Sequence, residues 1–475
     1  MGSRLVSGLR WTAIERFSNQ IIQLVLSIII ARLISPEAYG VLAILLIFIN
    51  ISQVFIESGL GSALIFKNKE ISKEDINTTF VFNLFVSVIL CALIWIFSDS
   101  IQRFYDVEDL ALFLRVSSVV LIINGLQVIP TSILKIEFDF KKLATSTLVS
   151  NFISAILGVG FAFYGFGVWA LIIQMMSKSI ILSIFLIIQA KWIPKFGFDK
   201  KSFLYSYKYG INIFATNILT KITDEGIASF IAKFLTPFNL GLFSRSGQFA
   251  TFPTSFIGSL VTTVVFPAFA AVKNDKERYN DIFVNSLKLQ AFLIIPLYLW
   301  LAVESYPIII LLLSEKWAGA VPIFQILCIG RVLALLAITT EQNLNASGRT
   351  DLCLKQQIFK LILKIILVAI ALPFGIIAVA LADALQTIAQ FFITNKVAEK
   401  TIGFSVGYQF KLCLPYLTGA IIASIISYLS LSVSQNLFVQ LLLSTTIGIV
   451  VYLFIILKCF KIKEPIGLIK RFVGC

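Results

Sequence analysis

A chain of 475 residues in which 58% are hydrophobic and only 13% are charged has about half the charged share of a soluble globular protein, which excludes a set of water-soluble domains. Apolar runs of about 20 residues, enough to cross a bilayer core, recur along the whole chain with only short polar gaps. The formal charge of +14 raises the question of a nucleic-acid partner, and the placement of the lysines and arginines answers it.

In chain order, fourteen spans are predicted, at 11–34, 37–64, 77–97, 110–134, 144–164, 167–190, 206–233, 238–271, 281–303, 318–346, 352–372, 375–395, 410–430 and 437–457. With a cytoplasmic N-terminus, the connections on that side carry Arg4, Arg10, Lys67, Lys69, Lys73, Lys135, Lys141 and Lys142, then five lysines between Lys191 and Lys208. Further along they carry three cations from Lys273, three from Arg349, three from Lys396 and five from Lys458, which brings the total to 27. The opposite connections hold Arg32, Arg103, Lys233 and Lys316 alone. This positive-inside distribution accounts for the basic balance without nucleic acid and places both termini in the cytoplasm.

The first span is broken by Glu15, Arg16, Asn19, Gln20 and Gln23 and runs too far for a cleavable signal peptide, so it is expected to remain in the membrane. It ends in ARLISPEAYG (31–40), which returns as AKFLTPFNLG (232–241) at an offset of 201. At the same offset the polar stripe of span 1 maps onto Thr216, Asn217, Thr220, Lys221 and Asp224 of span 7, five polar residues again. Asn50, Gln53, Ser58 and Ser62 map likewise onto Thr251, Thr254, Ser259 and Thr263.

Six spans separate the copies, so both enter the membrane in one direction and the repeat is parallel. The expected architecture is an all-α polytopic membrane protein with two six-helix lobes, 1–200 and 201–400, and an added helix pair with a basic tail at 401–475. Pro253 and Pro267 in span 8, with Gly210 and Gly226 in span 7, are expected to bend helices rather than to hinge them.

A charge at the bilayer centre costs about 2.5–3.5 kcal/mol even on the lenient scale, so the polar stripes should face protein or a water-filled cavity. Spans 1 and 7 are the expected walls of a central cavity between the lobes. Arg16, Lys288 and Glu341 lie near cytoplasmic span ends and Arg115 and Arg245 near outer ends, where snorkelling competes with function. Lys178, Lys221, Arg331 and Lys364 lie deeper and are expected either to line the cavity or to form buried ion pairs, as Lys221 could with Asp224 or Glu225.

An excess of deep cations suits an anionic cargo such as a diphosphate. The substrate-binding candidates are therefore Arg16, Lys178, Lys221, Arg331 and Lys364, with Asn19, Gln20, Gln23 and Thr220. Glu57, Asp224, Glu225 and Asp383 are candidates for coupling to H+ or Na+, or are counter-ions to the cations. No metal or cofactor is expected. The chain has no histidine, no paired cysteine spacing and no P-loop, and no constellation that reads as catalytic, so it is not expected to be an enzyme.

Arg10-Trp11, ARLISPEAYG and ESGLGSALI (57–65) together resemble the polysaccharide exporters of the Wzx type, particularly the WzxC-like branch, in the multidrug/oligosaccharidyl-lipid/polysaccharide exporter superfamily. The resemblance covers nearly the whole chain, although Glu57 stands where the family more often has aspartate. It implies a flippase that carries undecaprenyl-diphosphate-linked oligosaccharide across a bacterial inner membrane by alternating access. It also implies partners among the polysaccharide polymerase and other assembly proteins. The alternatives are an ion-coupled multidrug antiporter, a peptidoglycan-precursor flippase and a non-transporting scaffold of a glycan-assembly complex.

Overall fold

The computed structural model describes residues 18, 20–57, 60–67, 70–271, 275–346 and 350–462. Among the described residues, every expected span is met by helix. The first half holds α1 (Gln20–Leu33), α2 (Pro36–Glu57), α3 (Leu60–Lys67), α4 (Lys73–Tyr105), α5 (Leu110–Ile136), α6 (Phe140–Phe163) and α7 (Val168–Ala190). Then follow α8 (Lys200–Phe234), α9 (Pro237–Ala271), α10 (Lys276–Val303), the short α11 (Ser305–Leu313), α12 (Ala320–Ala346) and α13 (Thr350–Ala371). The last three are α14 (Ile376–Ile402), α15 (Val406–Ser430) and α16 (Leu437–Phe454). Among the described residues there is no strand, and eleven helices are long and apolar enough to cross a membrane. The chain is a multi-pass all-α membrane protein.

The helices turn polar residues inward and leave many large apolar residues on the outside, where a lipid solvent accepts them. On α4, Thr79, Asn83, Ser87, Cys91 and Ser98 recur at helical spacing and are all buried, whereas Phe85, Val88, Ile89, Leu93, Ile96 and Phe97 are exposed. Small residues let backbones approach, and van der Waals packing holds membrane helices together where water no longer drives association. Gly125 of α5 lies so close to Ser87 of α4 that any side chain there would overlap the hydroxyl.

Helix starts are capped from the sequence. Ser72 and Asp75 form a capping box at α4, with Asp75 N–H on Ser72 Oγ (3.1 Å) and Ser72 N–H on the Asp75 carboxylate (3.0 Å). Asp199 caps α8 by accepting from Ser202 N–H at 2.7 Å.

Two compact units follow one another, Met1–Gly241 and Leu242–Cys475. In the first, α4 packs on α5, α6 on α7 and α5 on α7. The helix α8, which the repeat assigns to the second lobe, packs in this unit against α2, α3 and α4. Its rings explain part of that placement: Phe55 meets Phe214 edge-on at 5.2 Å, and Phe82 meets Phe203 at 5.0 Å. The boundary between compact units falls after Gly241.

The repeated turn meets its own copy inside this unit. A Cβ on Gly40 would overlap the Pro237 carbonyl oxygen, and a Cβ on Gly241 would overlap the Pro36 carbonyl oxygen. Each glycine thus admits the backbone of the other copy's proline, the reciprocity of a local two-fold axis.

In the second unit, α10 packs on α12 and α15, α12 on α14, α13 on α14 and α15 on α16. Trp317, Tyr298 and Tyr416 are its largest fully buried side chains.

Candidate functional site

The polar groups that span-crossing helices carry inward form one cluster in each unit. In the first unit, Asn50, Gln53 and Glu57 lie at three- and four-residue steps on α2, which places them on one face. Asn50 Nδ2 donates to Glu225 Oε1 on α8 at 2.8 Å, and Lys221 Nζ, one turn before Glu225, stands 3.9 Å from the same oxygen. Gln53 donates to Glu57 (3.3 Å) and accepts from Asn124 Nδ2 of α5 (3.0 Å). One turn further along α5, Gln127 Nε2 donates to Ser183 Oγ of α7 at 3.0 Å. The amides thus link α2 to α5, α7 and α8, and each spends its capacity on a neighbour instead of on lipid.

Lys178 stands apart on α7, partly buried, beside Ser179 and one turn from Ser183. It has no hydrogen bond or ion pair among the described residues. A half-buried cation of this kind is an open position for an anion.

In the second unit two cations share one carboxylate. Arg331 Nη2 of α12 lies 3.8 Å from Asp383 Oδ2, and Lys364 Nζ of α13 lies 3.8 Å from Asp383 Oδ1, with Asp383 itself 6% exposed on α14. Both distances exceed a hydrogen bond, and two positive groups on one negative leave the cluster with a surplus positive charge. Gln390 Nε2 donates to Glu341 Oε1 at 3.2 Å, and Thr394 donates to Gln356 Oε1 at 3.1 Å. Gln356 and Gln386 line a cavity of about 10 Å³ between α13 and α14, and the Nε2 atom of each is buried without a partner. That is room for about one water, which would satisfy both donors.

Of the residues singled out from sequence, Arg16 and Asn19 lie outside the described residues. Gln20 is partly buried and Gln23 exposed on α1, while Thr220 is partly buried on α8. Lys221 pairs with Glu225 rather than Asp224, which is exposed. Glu57 is exposed and meets Gln53, and Asp383 gathers Arg331 and Lys364. Arg115, near an outer span end, pairs with Asp99 at 2.6 Å. Asn124, Gln127, Ser183, Gln386 and Gln390 were not selected, although Asn124 with Gln127 and Gln386 with Gln390 carry the signal of amides one helical turn apart within apolar runs.

Residues 29–322 match the family model described as polysaccharide biosynthesis protein. The chain is similar to the succinoglycan biosynthesis transport protein ExoT of Rhizobium meliloti (strain 1021), with 23% identity over 94% of this chain and 91% of that one. It is similar to the teichuronic acid biosynthesis protein TuaB of Bacillus subtilis (strain 168), with 25% identity over 96% of each. It is similar also to the lipopolysaccharide biosynthesis protein WzxC of Escherichia coli (strain K12), with 24% identity over 87% of this chain and 85% of that one. Among solved structures, lipid II flippase MurJ in an inward closed conformation matches with a TM-score of 0.80 and 21% identity over 95% of this chain and 99% of that one. An inward-facing multidrug resistance MATE family transporter matches with a TM-score of 0.65 and 14% identity over 82% and 98%. At these identities the structural matches establish the fold.

Proposed function

The chain belongs to the polysaccharide biosynthesis protein family, and on that premise we propose that it is a flippase for polyprenyl-diphosphate-linked oligosaccharide units. It would carry them from the inner to the outer leaflet of a bacterial cytoplasmic membrane for surface polysaccharide synthesis. The activity is transport by alternating access, without covalent change to the cargo. The observation that carries the reading is Lys178, a cation held within a span with no protein partner among the described residues.

Lys178 would give a diphosphate one point charge, and the amides of α2 and α5 would offer hydrogen bonds that sugar hydroxyls can use. The surplus charge around Asp383 supports the same sign of cargo. A transporter of cationic drugs would need the opposite balance. Coupling to H+ or Na+ belongs to the proposal as well: Glu225 and Asp383 each sit beside cations, so neutralising either carboxylate would change how strongly its cluster attracts an anion. Both termini would face the cytoplasm, and the polysaccharide polymerase and other assembly proteins would be its partners.

The test is inner-to-outer movement of a polyprenyl-diphosphate oligosaccharide in liposomes, for the wild type, Lys178→Arg and Lys178→Gln. A lost charge-assisted contact is worth about 1.5–3 kcal/mol, so Lys178→Gln should slow movement about tenfold or more while Lys178→Arg retains most of it. Equal movement in wild type and Lys178→Gln would remove the basis of the reading. Movement of lipid II but of no polysaccharide precursor would assign the chain to the peptidoglycan pathway instead.

A further inference from the structure

Between α7 and α8 the chain runs from 191 to 199 without helix. The strap begins one residue past a membrane-crossing helix that ends at Ala190, so it lies at the bilayer surface. Trp192 pins its first turn, 9% exposed in a cluster with Leu64, Phe80 and Ile129, with its ring edge-on to Phe80 at 5.1 Å. Its far end is pinned by Asp199, whose N–H donates to Thr78 Oγ1 at 2.8 Å and whose carboxylate caps α8.

Held at both ends, the strap nevertheless turns its large apolar side chains outward. Ile193, Phe196 and Phe198 are 74%, 79% and 59% exposed. Phe196 leans on Phe80 at 5.7 Å and Phe198 on Phe203 at 5.6 Å, contacts that steady the rings without covering them. Lys191, Lys195, Lys200 and Lys201 alternate with these residues and are exposed. Lys191, Lys195 and Lys200 have no partner among the described residues, and the strap's one carboxylate, Asp199, is engaged in capping and near Lys201. Leu204, Tyr205 and Tyr207 carry the exposed apolar surface onto the first turns of α8.

We propose that this strap is a binding surface for anionic phospholipid of the leaflet it faces, with Ile193, Phe196 and Phe198 set among the acyl chains and the lysine ammoniums on the phosphodiesters. Charge complementarity selects the occupant, because aromatic side chains alone would accept any lipid whereas unpaired lysines favour a headgroup with net negative charge. The positive-inside distribution makes that leaflet the cytoplasmic one. Each ammonium near an anionic surface strengthens binding about fivefold.

The experiment measures binding of chain-labelled phosphatidylglycerol and phosphatidylcholine to the detergent-purified full chain by fluorescence anisotropy. The wild type should bind phosphatidylglycerol at least tenfold tighter, with the preference shrinking as salt is raised. The variant combining Lys191→Gln, Lys195→Gln, Lys200→Gln and Lys201→Gln should bind the two lipids within about twofold of each other, and the corresponding four Lys→Arg changes should restore the preference. Phe196→Ser with Phe198→Ser should weaken both lipids together. A preference that survives the four glutamines, or survives 1 M salt in the wild type, would overturn the proposal. Displacement of labelled phosphatidylglycerol by soluble glycerol 3-phosphate as effectively as by the unlabelled lipid would also overturn it, since the surface would then read a free phosphate.

Discussion

Glu304 follows the last residue of α10 and is fully buried, with one carboxylate oxygen accepting from Ser427 Oγ at 3.1 Å and the other, Oε2, without a partner. Burial, opposed by the Ser444 and Ser427 hydroxyls, holds its protonation above the ordinary value of 4.5. A carboxyl whose folded value is raised contributes stability that is complete below 4.5 and is lost as pH rises through the folded value. The melting temperature of the purified protein should therefore fall as pH is raised from 4.5, and Glu304→Gln should flatten that part of the profile; parallel profiles would refute this. Sequence reading passed over Glu304 because it stands one position past the predicted span 281–303, where a carboxylate looks like an ordinary solvated end. Asp383, Arg331 and Lys364 were each legible as intramembrane charges, whereas their gathering was not, because the two cations come from helices 52 and 19 residues away in the chain. Asp383→Asn leaves Arg331 and Lys364 without their counter-ion, and the expected loss is about 3–5 kcal/mol, read as a lowered melting temperature. Substituting Leu for Arg331 and Lys364 at the same time as Asp383→Leu should recover much of that loss.

At the scale of elements, the strap 191–199 and the turns at Pro36 and Pro237 show what periodicity leaves out. Apolar runs located the eleven crossing helices among the described residues, because a lipid solvent admits few alternatives to a continuous hydrogen-bonded helix. The basic linker was equally visible, but not its anchoring: Trp192 reads as one more interfacial aromatic, and its contact with Phe80 on α4 joins residues far apart in the chain. Trp192→Ala should cost about 3–5 kcal/mol and loosen the strap, which limited proteolysis between Lys191 and Lys201 would report as faster cleavage. The paired turns are a clearer case. Their repetition was plain at an offset of 201, and a reading of kinship between two halves followed from it, yet nothing in the letters said that the copies touch. Gly40→Ala places a methyl group on the Pro237 carbonyl, and such overpacking costs about 1–3 kcal/mol, so the melting temperature should drop by several degrees. The same drop is expected for Gly241→Ala; a neutral result in either would refute the close approach.

For the whole molecule, hydropathy and the distribution of lysines and arginines carry the expected topology, with both ends on the cytoplasmic side. In a variant that keeps Cys459 as its sole cysteine, a membrane-impermeant maleimide should leave intact spheroplasts unlabelled and react after the membrane is opened, since Cys459 is exposed whereas Cys91, Cys328 and Cys413 are buried. Labelling of intact cells would invert the topology. The turn contact also has a history in time, because Gly241 leaves the ribosome 205 residues after Pro36, which waits for it. At roughly 5–20 residues per second, about 10–40 s separate synthesis of the two partners. During that interval the first turn has no partner, and the arrival of the second turn completes the contact.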